Sequence, residues 1–186
     1  DAIEIIINGF IGDLEEGFSD LALHSALASD ELSFSGTRSW LFNTGNGDMR
    51  PEDGSYIYHD LATATWTAVK GLERITELGA SADQIATANL YAGFIHRIMG
   101  ENYCAYVFDG GEQKDNSEWF NLALSYFQAA SSGSGDIGIA GKAGQAQVLV
   151  ALGRYAEAAT LAGQVPDDFL WVANYTDLDT SNLWEE

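Results

Sequence analysis

The chain has 186 residues, 46% of them apolar and 12% aromatic, with 8 Lys plus Arg against 28 Asp plus Glu and a net charge of −20. This composition fits one well-cored domain and argues against a disordered chain. The acidic balance repels phosphate backbones and anionic lipid, which argues against nucleic acid and membrane surfaces as partners, and no apolar run reaches the roughly 18 residues of a membrane span.

In chain order, "AIEIIINGFIGDL" reads as a helix through Ile3, Ile6 or Ile7, Phe10 and Leu14. The same residues read as a strand through Ile3, Ile5 and Ile7, which their β-branched side chains favour, and Gly9 and Gly12 weaken a helix. Helix is the preferred reading; residues 1–12 as an exchangeable self-association arm carrying Ile3, Ile5 and Ile7 is the alternative. An irregular loop is expected over 33–55. A helix then follows with Leu61, Ala64, Ala68, Leu72 and Ile75 on one face, stopped by Gly79. The next carries Ile85, Ala88, Ala92, Ile95 and Met99 and is capped by Ser81 or Asp83.

A second loop is expected over 105–115, then a helix capped by Asn116 or Ser117 that buries Phe120, Ala123, Phe127 and Ala130. After a "SSGSGD" break the apolar set is Ile139, Ala143, Ala146 and Val150, and then Tyr155, Ala158, Ala162 and Val165 before Pro166. The stretch "ALGRYAEAATLAGQVP" has the G-x-Y-x-x-A turn that joins antiparallel helices in a tetratricopeptide-type repeat. Paired helices of this kind cannot bury their faces singly, so they stack. The expected fold is therefore all-α: a single domain over 1–186, a tetratricopeptide-like stack of about three helix pairs, with irregular loops at 33–55, at 105–115 and at the C-terminus.

The order of "ALASDELSF", "TANLYAGFIHRIMGENYC", "MGENYCAYVFDGG", "WFNLALSYFQAA" and "GKAGQAQVLVALGRYAEAATLAGQVPDDF" resembles the N-terminal, helical-repeat half of the SusD/RagB-like outer-membrane nutrient-binding proteins. The resemblance covers most of this chain and about half of a usual family member. It implies a non-catalytic protein on the cell surface, sitting over an outer-membrane transporter and helping to capture glycans.

No constellation of residues points to catalysis. His96 and Cys104 stand eight apart, which on one helix is about 12 Å of rise and about 80° of rotation. Glu101 would share a face with Cys104 and raise its thiol pKa, so the cysteine is expected to be buried and inert. One cysteine can form neither an internal disulfide nor a paired-cysteine metal site. His24, His59 and His96 have no metal-ligand spacing; Asp109, Glu112, Asp115 and Glu118 could ligate calcium from a loop, and the preferred reading is a solvated loop running into an acidic helix start. Asp177 and Asp179 are weak calcium candidates, lacking the turn glycine and the distal Glu of a calcium loop. No cofactor is expected.

Of the five tryptophans, Trp66 and Trp119 fall on periodic helices and are expected in the core. Trp40, Trp171 and Trp184 lie in irregular segments and are candidates for ligand or subunit contacts. Asn174 begins an N-glycosylation sequon. The start at Asp1 rather than Met is expected of an exported, mature form at the outer-membrane surface or outside the cell. The functional expectation is a secreted or surface protein working through protein contacts, with oligosaccharide as a possible ligand. The alternative is a structural subunit whose copies associate into an extracellular filament.

Overall fold

A computed structural model describes residues 2–107 and 111–172. It is all-α apart from one short hairpin. The elements are α1 (Ala2–Ala28), α2 (Ser39–Gly45), α3 (Ser55–Glu77), α4 (Ala82–Asn102), β1 (Ala105–Val107), β2 (Gln113–Asp115), α5 (Ser117–Ala130), α6 (Gly135–Ala151) and α7 (Tyr155–Ala162). The described residues form two compact units, residues 2–10 with Thr67–Val172, and Ile11–Trp66; α1 and α3 contribute residues to both. No helix among the described residues is long and apolar enough to cross a membrane.

The larger unit is built on stacked antiparallel helices. Helix α4 packs on α5, α5 on α6, and α6 on α7, and α4 also touches α6, as successive helix pairs do in a stack. Ser81 caps α4 by accepting from Gln84 N while Gln84 Oε1 accepts from Ser81 N, a complete capping box. Asp83 joins two helices instead. Its carboxylate accepts from Ser134 N at 3.0 Å and from the Ser134 hydroxyl at 2.7 Å, pinning the start of α6 to the start of α4. Those bonds hold the Asp83 carboxyl below its ordinary pKa.

Phe127 shows why the glycines of this unit lie where they do. A Cβ added at Gly93 on α4 would meet its ring at 2.6 Å, and one added at Gly144 on α6 would lie within 2.7 Å of three of its ring atoms. One edge of the ring thus sits in a wedge between the bare backbones of two helices, and Phe127 is fully buried. Phe120, Ala123 and Ala130 are buried beside it as the periodicity predicts. Helix α6 follows the expected face only in part: Ala146 is buried, Ile139 and Ala143 are half-buried and Val150 is 52% exposed, while Gly138, Ala140, Gly141, Gly144, Gln145, Val148 and Leu149 are buried as well. Glycines carry no weight in an apolar count, so the periodicity hid the face they form.

The turn at Gly153 (φ 72°) leads into α7, and Ala158 is buried as expected. Tyr155 is exposed and the helix ends at Ala162, short of Pro166. At the other end of this unit, Phe10 and Ile6 meet Gly71, where a Cβ would come within 2.8 Å of the Phe10 ring. The first segment is therefore a helix, not a strand: Ile7, Phe10 and Leu14 are buried at helical spacing while Ile5 is 71% exposed. A strand would have put Ile5 on the same side as Ile7.

Two loop expectations need correction. The 33–55 stretch contains α2, and the 105–115 stretch contains an antiparallel hairpin pairing Ala105 with Asp115. The hairpin is anchored by Tyr106, which is buried with its ring 4.4 Å from that of Trp119. Asn116 holds the N-cap position of α5 but its side chain donates to the Gly100 carbonyl, and Asp115 Oδ1 accepts instead from Ser117 N at 2.9 Å and from the Ser117 hydroxyl. Cys104 is exposed, not buried, because α4 stops at Asn102 and the chain turns away into β1.

Candidate functional site

In the unit of Ile11–Trp66 a run of rings leads from the interior to the surface. His24 on α1 is buried; Trp40 on α2 stacks on it with ring centroids 5.9 Å apart and planes 16° apart. Tyr56, at the start of α3, lies 6.0 Å from Trp40 at 31° and is 61% exposed. The same helices present Phe42 and Tyr58 to solvent.

Hydrogen bonds fix the inner end. The Thr44 hydroxyl, one turn after Trp40, donates to the Trp40 carbonyl at 2.9 Å. It must then accept from His24 Nε2–H, 2.8 Å away, which sets the imidazole tautomer. Burial pushes the His24 pKa down, with Asp53 opposing, so the ring is neutral near pH 7. Asp53 is itself buried and closes the α2–α3 connection, accepting from Arg50 N at 2.9 Å and from Asn43 Nδ2 at 3.1 Å. The backbone bond from Arg50, helped by Asn43, holds its carboxyl below the usual range. Thr44 thus ties the Trp40 turn of α2 to His24 of α1, and Asn43 ties α2 to Asp53 in the connection that leads into α3.

A second feature of this unit is a carboxyl pair. Close packing at Gly17, where a Cβ would meet Leu61 Cδ2 at 3.1 Å, brings α1 against α3 and sets Asp20 beside Asp60. Burial, then Asp60, then Glu16 raise the Asp20 pKa to about 6, with Arg38 opposing. Among the described residues no group of three or more His, Cys, Asp or Glu is placed to hold a metal ion.

The histidine and cysteine noted in the sequence do not form a catalytic pair. His96 lies in the core between Trp119 and Tyr126, donating Nδ1–H to the Ala92 carbonyl at 2.7 Å, and burial lowers its pKa to about 4. Cys104 stands on the surface beyond the helix end. Glu101 pairs with Arg97 at 3.3 Å.

Of the tryptophan candidates, Trp40 is half-buried and shields His24, so the most exposed ring of this run is Tyr56, which sequence reasoning missed. Its only signal was position, at the start of an apolar-periodic helix directly after an irregular loop. Trp171 is half-buried and meets Tyr91 edge-on, 6.3 Å away, beside the α4–α5 core. Trp66, expected in the core, is 65% exposed, because Leu61, Ala64 and Ala68 fill the inner face of α3. Within the arm candidate, Ile7 is buried, Ile3 half-buried and Ile5 exposed. Trp184, Asp177, Asp179 and Asn174 lie outside the described residues. Comparison with protein-family models, with curated proteins and with solved structures gives no match for this chain.

Proposed function

We propose that this chain is a non-catalytic helical-repeat protein of the cell exterior that captures glycans in the manner of a short SusD-like accessory protein, using the Tyr56–Trp40 surface. The observation that carries the reading is the ring run itself: an exposed Tyr56 backed by Trp40 and by a neutral His24, on a hydrogen-bonded frame. Such a surface offers the apolar face of a sugar ring a rigid platform with a polar margin. The chain's charge of −20 favours neutral glycans over uronate or sulfated ones.

The test is a titration of neutral oligosaccharides, followed by tryptophan fluorescence and by calorimetry. Binding that weakens on Tyr56→Ala and Trp40→Ala while the helical circular dichroism is retained supports the reading. Failure of every oligosaccharide in a broad panel to bind removes it.

A second reading, self-association into a filament with an outer-membrane transporter not required, draws on different residues. Ile5 on α1 and Val150 and Tyr155 at the last helix pair are large apolar side chains left open to solvent. Light scattering separates the two: particles that grow with concentration and disperse on Ile5→Asp favour assembly, and a monomer at high concentration rules it out.

A further inference from the structure

Helices α5, α6 and α7 border an open cavity of about 290 Å³. Its apolar lining is one leucine from each helix: Leu124, Leu149 and Leu161. Leu124 and Leu149 are buried and Leu161 is half-buried. Two carboxamides also line it: Gln128 of α5, which is exposed, and Gln145 of α6, which is only 7% exposed.

Gln145 Nε2 donates to the Phe127 carbonyl at 3.3 Å and to the Gly141 carbonyl at 3.4 Å. Both partners are acceptors, so the nitrogen has to face them and Oε1 has to face away. Among the described residues no group donates to Oε1, and this oxygen is not sealed from open space. A deeply placed acceptor that borders a cavity without a protein donor is a site for a donor from outside.

The rim shows which donor fits. Arg154 Nε and Nη2 meet the two Glu157 carboxylate oxygens at 2.7 and 2.6 Å, so the rim's two charges are spent on one another. The Thr160 hydroxyl donates to the Ala156 carbonyl, leaving its oxygen as a further acceptor. With no unspent charge, the cavity has nothing to hold an ionic ligand. We propose that it is a binding site for a small uncharged molecule that bears a hydroxyl group. The hydroxyl donates to Gln145 Oε1 while the carbon skeleton lies on the three leucines. The volume suits one six-membered ring, at the small end of ligand pockets, which start at roughly 300 Å³. This site lies in the unit of Thr67–Val172 and does not depend on the Tyr56 surface.

The test uses the full chain labelled with nitrogen-15, with cyclohexanol as the probe and cyclohexanecarboxylate as its charged counterpart. Saturable shifts of the Gln145 side-chain amide pair with cyclohexanol, and binding weaker by at least about fivefold with the carboxylate, are expected. Leu161→Trp, which fills the cavity from a half-buried position and leaves Gln145 in place, abolishes the shifts. Gln145→Leu weakens binding by about fivefold or more. The absence of saturable shifts at Gln145 in the folded wild-type chain overturns the proposal, as do equal affinities for both probes or unchanged binding in Leu161→Trp.

Discussion

Replacing Gly144 by alanine tests how α4, α5 and α6 are held together. In an open helix this change stabilises by about 1 kcal/mol, since alanine is the better helix former. At Gly144 the new methyl lies within 2.7 Å of three Phe127 ring atoms, and a Cβ built at Gly93 would meet the same ring edge at 2.6 Å. The ring has no slack on that side, so overpacking of roughly 1–3 kcal/mol outweighs the propensity gain. The expected net loss is about 1 kcal/mol, or about 2–4 °C in Tm for a chain of this size. Gly9→Ala is the control, because nothing lies within 4 Å of a Cβ there; it gains up to about 1 kcal/mol. Phe127→Leu trims the ring, and combining it with Gly144→Ala should cost about 1 kcal/mol less than the two separate losses added. Urea denaturation of the four variants and the wild type measures this. A Gly144→Ala protein as stabilised as Gly9→Ala, or a double mutant that is simply additive, would refute the wedge.

Two pH effects follow, one from the buried His96 and one from the half-buried Asp20. His96 titrates at about 4 in the fold and near 6.5 when unfolded, so between those values the unfolded chain binds the extra proton and stability falls as pH falls. The loss reaches about 3 kcal/mol once pH is below both values. His96→Asn, which can keep a bond to the carbonyl four residues back as Asn89 does, should remove that part of the slope in denaturation series from pH 7 to 4. Asp20 has the opposite sign: its folded pKa of about 6 lies above its unfolded value of 3.8, so its effect on stability worsens as pH rises from 4 to 6. Asp20→Asn should therefore stabilise at pH 8 and do so less at pH 4.5; equal effects at both would count against the Asp20–Asp60 contact.

The inner faces of α3 and α5 were legible in the spacing of their apolar residues. Phe120, Ala123, Phe127 and Ala130, or Leu61, Ala64 and Ala68, are buried as their spacing predicts. What escaped was carried by small or polar residues. The inner face of α6 sets Gly138, Gly141, Gly144 and Gln145 beside Val148 and Leu149, and hydropathy gives the first four little weight. The α2 helix hid in a stretch rich in glycine and asparagine, since only Leu41 and Thr44 of its residues are buried. The ring run was legible in part. Trp40 stood out by its size, but its partners His24 and Tyr56 come from α1 and α3 and only tertiary packing brings them together. Cys104 was misjudged because its burial hung on where α4 ends, a boundary set by Tyr103 turning extended.

The most direct test of glycan capture is calorimetric titration of the wild-type chain and of Tyr56→Ala with neutral oligosaccharides. Tyr56 is 61% exposed, so its removal should leave the fold intact. Saturable binding in the wild type that weakens by about tenfold or more in Tyr56→Ala is the predicted result. Binding that is absent from the wild type across the panel, or that survives unchanged in Tyr56→Ala, would contradict it.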